Sequence, residues 1–414
     1  MRGHRQILTL LVGLIVTSVA FGQVLEKART GETDQTQLDS LRLAGSTALF
    51  NSDFETARQK FTEIKRLFPE HPAGPFLLAS TLWVQKLNES RRLQAALYNN
   101  KSFYAKNEDK VDPDLVKQFR DLTRQAIMLA KARLKLNSRD VDMLYFLGAT
   151  EGLKAAFEAT IQRSFGAALR DGASSADHHR QVIKLDPNYH DAELSIGLYD
   201  YVAGSLPFPV KLLATFAGIR GSKKRGIATL ERVAKEGHWA RHDAQVVLIT
   251  LYKREKRFND ALALSRELAA QYPRSDLFKL ETADALVSRS AVERKNNNIP
   301  AATQLEREAF GLFQTLLDDR EAARSYDLVH FRYGESLLVS GYPELAAKEF
   351  LAVTGAANAE HGLVTMAQLR AAQSLDLMGK RNEAVARYQN VLNRPNVFDT
   401  YDQATRGLRE PYHR

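Results

Sequence analysis

One short turn recurs along this chain. Asp53-Phe54-Glu55-Thr56-Ala57, Arg257-Phe258-Asn259-Asp260-Ala261, Tyr342-Pro343-Glu344-Leu345-Ala346 and Lys380-Arg381-Asn382-Glu383-Ala384 each read as a polar connection followed by an Ala that opens a helix. Bulk returns four and seven residues after the Ala in three copies: Phe61 and Ile64, Phe350 and Val353, Tyr388 and Val391. Ser265 and Leu268 are the weaker fourth set. Twelve residues before three of the Ala stands another small residue, Gly45, Gly334 or Ala372. Pro69, Pro187 and Pro273 are placed to end helices. A repeated unit of this kind buries its apolar face only by stacking on its neighbours. A single array therefore replaces the two or three globular domains that 414 residues would otherwise allow.

The intervening sequence is helical in character from about Leu38, with apolar residues at three- and four-residue spacing and strong helix formers between them. Asp53, Asn259 and Asn382 are expected as N-caps and Pro343 as a first helical residue. Clean units span 38–71, 242–275, 327–360 and 365–398. Weaker second-helix starts are expected at Ala126, Ser175, Gly226 and Ala309, with Gly148 and Gly197 as close-packed small residues. Longer helices or inserted loops are implied near 86–115, 152–175, 200–222 and 290–300. The segment from Gly197 to Val210 reads as a helix that breaks into an apolar, Pro-containing loop, followed by a short helix around Lys211 to Ala217.

Small residue, turn, Ala, aromatic and terminal Pro in a unit of about 34 residues resembles the tetratricopeptide repeat (TPR). The resemblance implies an all-α solenoid, a right-handed superhelix of about seven to nine antiparallel helix pairs over 38–398, irregular between 86 and 225, with a tail at 399–414. It also implies a concave groove lined by the first helix of each pair. Its candidates here are Arg42 and Ser46; Asp191, Leu194 and Tyr201; Asp243, Val246, Thr250 and Lys253; Phe331 and Glu335; Leu369 and Gln373. The partner such a groove implies is an extended peptide or a protein.

Basic Met1–Arg5, uncharged Ile7–Phe21 and the small residues Ala20 and Gly22 form the pattern of a secretory signal peptide over 1–22, followed by a linker at 23–37. Retention as an anchor is the alternative, because the uncharged stretch reaches Leu25. Export to a bacterial periplasm is expected, with no membrane span after cleavage. Zero cysteine excludes a lipidated N-terminal Cys, thiolate nucleophiles and Cys-ligated metals.

No catalytic, metal or cofactor residue is proposed from the sequence. Asp177-His178-His179 lacks the companion acids of a phosphoesterase centre. His238 and His242 stand four apart, but Trp239 occupies the place where a zinc protease helix needs Glu. Gly218–Lys224 lacks P-loop spacing and reads as a connection with Ser222 capping the next helix. The net charge of +9 comes from Lys and Arg interspersed with acids, as on a solvated helical surface, so nucleic acid is not an expected partner. An enzyme with a site near 200–243, or an envelope polyanion or lipid-surface binder, stands as the alternative to a non-enzymatic scaffold.

Overall fold

The structure, a computed structural model, describes residues 34–94, 111–206, 220–319, 325–356 and 358–413. Within them the chain forms eight helix pairs and a last single helix. The pairs are α1 (34–50) with α2 (Phe54–Leu67), α3 (Ala73–Glu89) with α4 (Pro113–Leu136), and α5 (Val141–Phe157) with α6 (Phe165–Leu185). Next come α7 (Glu193–Gly204) with α8 (Lys223–Glu236), α9 (Arg241–Arg254) with α10 (Phe258–Gln271), and α11 (Asp276–Lys295) with α12 (Ile299–Asp318). The series ends with α13 (Tyr326–Ser340) and α14 (Pro343–Gly355), α15 (His361–Leu377) and α16 (Arg381–Leu392), then α17 (Thr400–Arg409). The residues 399–414, read from sequence as a tail, thus carry a helix that packs on α16 and closes the array. Helix α1 already runs through 34–37 of the expected linker.

Five of the eight pairs share one turn. Ser52, Lys256, Asn297, Gly341 and Gly379 all have positive φ, and each stands five residues before a fully buried Ala: 57, 261, 302, 346 and 384. The left-handed residue reverses the chain in one step, so the next residue is already the cap. Asp53 caps α2 by accepting from the Thr56 amide, and Pro343 opens α14 as expected. Asn259 and Asn382 are not caps; Arg257 and Lys380 hold those positions. The sixth pair has its turn Ala at Ala302, seven residues before Ala309, because α11 and α12 are each extended to 20 residues. Near 152–175 the extra length is also helix, α5 continuing through a π-turn at Glu158–Gln162.

All the expected second-helix starts are buried inside even-numbered helices. A Cβ on Gly45 would lie 2.3 Å from Phe61, and one on Gly334 would lie 2.7 Å from Phe350. The small residues let paired helices approach until the aromatic ring of the second fills the seam. Odd-numbered helices also touch one another directly: α3 with α5, α5 with α7, α11 with α13, α13 with α15 and α15 with α17. In a curved stack that is the inside of the bend.

The array coils back on itself. From Arg42 onward α1 bears on the α8–α9 and α10–α11 turns. Arg42 pairs with His238 Nε2 at 3.1 Å and its guanidinium lies 4.6 Å from the Trp239 ring. Phe50 packs between His242, Tyr272 and Phe278, and the Arg274 amide donates to Asn51 Oδ1 at 3.1 Å. At the end of α3, Arg91 makes a two-pronged pair with buried Asp327 of α13, at 2.8 and 3.0 Å. Beyond α5, Arg163 lies 5.4 Å from the Phe398 ring, joined there by Arg92. Pair one thus meets pairs five and six, pair two meets pair seven, and pair three meets the α16–α17 turn. Contact partners advance in the same order along both segments, so the chain coils and its second turn rests against its first.

Candidate functional site: the inner helical face

The inner face of the second turn carries a continuous polar ladder. Lys253 of α9 bonds Glu281 Oε2 at 2.8 Å and also pairs with Asp284, both on α11. Asp284 receives Arg332 of α13 at 2.6 Å. One turn along α13, Glu335 is gripped at both oxygens by Arg370 of α15, at 2.5 and 2.8 Å. Arg370 also donates to Gln373, whose amide donates to Gln403 of α17 at 3.1 Å. Apart from the Arg370–Gln373 bond within α15, each rung joins one inner helix to the next.

Burial alone would lower Lys253, but Asp284 and Glu281 beside it leave its pKa raised. Burial likewise opposes the Asp284 carboxylate, and Arg332 with Lys253 more than compensates, holding it below its ordinary range. Both lysine and aspartate are therefore charged, as the ladder requires. The Glu335–Arg370 rung is the more open, with each side chain about a quarter exposed, at 26% and 28%.

The first-turn side is aromatic. Tyr145 stacks on His179 and tilts against Tyr189, while Phe146 meets His71 and Trp239 edge-on. Asp243 of α9 faces this cluster and is accessible to solvent. Withdrawal from bulk water between the surrounding walls, and the neighbouring Asp191 carboxylate, push its carboxyl up to about 7.

These positions sort the groove residues expected from sequence. Lys253, Glu335 and Gln373 are brought together in the ladder, and Asp243 and Val246 are exposed on α9. Thr250 is half-buried between them. Arg42 is committed to the contact between turns. Asp191 is buried and accepts the His238 and Ala240 amides, so it fastens the α8–α9 turn. Tyr201, 1% exposed, and Phe331, 8% exposed, belong to the core and offer no ring to a partner. Leu369 is also core, and Ser46 and Leu194 are half-buried. Sequence reasoning missed Arg332 and Arg370. Both stand two residues before the small residue of their helix, Gly334 or Ala372, and that shared offset was the available signal.

The histidine motifs have structural roles. His179 occupies the position of Phe61, four residues after Ser175, and bonds Ser195 Oγ and the Tyr145 carbonyl. His178 pairs with Glu151 at 2.8 Å. His238 lies in the turn and His242 in α9, with separate partners, Arg42 and Gln245. Ser222 caps α8 through the Arg225 amide. Among the described residues no group of three His, Asp or Glu side chains could hold a metal ion, and no helix is long and apolar enough to cross a membrane. The apolar loop after Leu206 and the signal segment lie outside the described residues.

A sequence profile of the tetratricopeptide repeat matches residues 366–396, the α15–α16 pair. Among solved structures, the human IFIT1 dimer with m7Gppp-AAAA is similar at 12% identity and TM-score 0.47, over 90% of this chain and 80% of that one. Yeast Tom70 is similar at 12% identity and TM-score 0.37, over 88% and 86%. No curated protein matches. The stacked helix pairs, the turn that five of them share and the match at 366–396 together make this chain a TPR-like helical-repeat protein.

Proposed function

We propose that the protein is an exported, non-enzymatic scaffold that holds a peptide or protein partner against the inner face of its second turn. The observation that carries this reading is the ladder itself. Burying charged pairs costs desolvation, and apolar residues of similar volume serve stability as well or better. An inner face that keeps three cations and three carboxylates on α9 to α15 is therefore explained more readily by recognition than by folding. The half-open Glu335–Arg370 rung and the exposed Asp243 supply donors and acceptors that a peptide backbone can engage by exchange.

Photo-crosslinking residues placed at Glu335 and Asp243 should capture a partner from an envelope extract. The same residue at Arg58, on the outer face of α2, should capture none. Capture from Arg58 alone would overturn the assignment of the inner face. Export is checked separately: amino-terminal sequencing of the envelope-derived protein should begin at Gln23, and an intact Met1 would contradict cleavage.

A further inference from the structure

Within one chain, the edge formed by the turns inside pairs one to three sits on the edge formed by the turns between later pairs. Phe50, Asn51 and Arg91 belong to the first edge; Tyr272, Arg274 and Asp327 belong to the second. The first kind of edge continues beneath the second turn, where no third turn receives it among the described residues. At pairs six and seven it exposes Val292, Ile299, Val339, Tyr342 and Leu345, between 36% and 51% accessible. The turns of these two pairs adjoin: Tyr342 lies 6.1 Å from Phe310 of α12, and its hydroxyl reaches Arg294 at the end of α11. The free edge of the second kind, above the first turn, presents Leu136 at the end of α4, 88% exposed. Exposed apolar groups gathered along one edge point to an interaction surface.

We propose that the occupant is a second copy of this chain, stacked head to tail. The 292–345 edge of one copy rests on the Leu136 edge of the next, continuing between chains the contact that joins the two turns within each. Such a contact is heterologous, with different surfaces on the two partners, and can propagate beyond a dimer.

Sedimentation of the purified full chain tests this with two variants, Leu345→Glu and Leu136→Glu. Both sites are exposed, so each variant should melt like wild type, which is checked first. Wild type should sediment faster with rising concentration, and either variant alone should stay monomeric. Mixed together, the variants should form a one-to-one dimer and nothing larger, because each retains the edge that the other lacks. Three results would overturn the proposal: wild type that stays monomeric, Leu136→Glu that associates like wild type, or a mixture that does not pair. The second would point to a symmetric contact between 292–345 edges.

Discussion

In the α13–α14 pair the closest approach of two helices is filled by Phe350 against Gly334; in α5–α6 the same place is filled by His179 against Gly148. Phe350 needs only volume. His179 brings volume and two ring nitrogens, and both are satisfied, by Ser195 Oγ and the Tyr145 carbonyl. The contrast runs through the whole molecule. The second turn packs with apolar rings in its seams and places its charges on the inner face, whereas the first turn builds aromatic and histidine contacts inside. The seam between turns is different again, held by Arg42, Arg91 and Arg163 against Trp239, Asp327 and Phe398. Arg91, Arg163 and Phe398 all adopt positive φ, an unfavourable conformation for side chains of that size. That conformation is retained where the turns meet.

The largest expected effect lies in that seam. Among the described residues, Arg91→Ala leaves Asp327, whose side chain is 2% exposed, with only the Glu360 and Leu328 amides as donors. Removing one partner of a buried pair costs about 3–5 kcal/mol, so chemical denaturation should show a loss of that order. A loss below about 1 kcal/mol, typical of an exposed pair, would show that the turns are not pressed together there.

Next comes a pH effect confined to the first turn. Burial lowers the His179 pKa from 6.5 to about 4. Between those values the unfolded chain binds more protons than the folded one, so stability should fall as pH drops from 6.5 toward 4. The loss should reach up to about 3 kcal/mol. His179→Phe, which gives α6 the residue of α2, should flatten that part of the profile; an unchanged slope would assign it elsewhere. His71, also lowered to about 4 by burial first, has the same sign and remains in the variant.

Smaller effects separate the seams of the second turn from its ladder. Gly334→Ala puts a methyl 2.7 Å from the Phe350 ring and should cost about 1–3 kcal/mol. Gly311→Ala, on α12 with nothing within 4 Å, should instead stabilise by about 0.5–1 kcal/mol. Equal effects would mean that helix propensity, and not the close approach, governs Gly334. Smallest of all, a double-mutant cycle on Glu335 and Arg370 should give a coupling of about 1 kcal/mol or less, because both side chains are partly exposed. A larger coupling would make this rung a structural clamp and weaken the case for exchange with a partner.

The array and its packing positions were legible in the sequence because one turn recurs at near-constant spacing in the second half. Ser175 and His179 stand in for Ala57 and Phe61 without resembling them, so the first turn read as irregular although the same seam position is filled. Ala309 was mistaken for a turn Ala because α11 and α12 are lengthened by about two helical turns, and Ala302 lies one heptad earlier with no aromatic four residues on. Of the site, the inner helices were identifiable but the facing residues were only half found. Tyr201 and Phe331 lie on those helices, yet their rings turn into the core. The contact between turns left no local signal, since Arg91 and Asp327 are 236 residues apart.

That long-range contact is the centre of the account, and a chain without cysteine makes it simple to probe. Nitroxide labels on cysteines introduced at Thr47 and Gln271, exposed positions flanking the Phe50–Tyr272 contact, would report directly on the two turns. A coiled array predicts strong dipolar broadening in the doubly labelled protein. A spectrum equal to the sum of the two singly labelled ones would show that the turns do not meet.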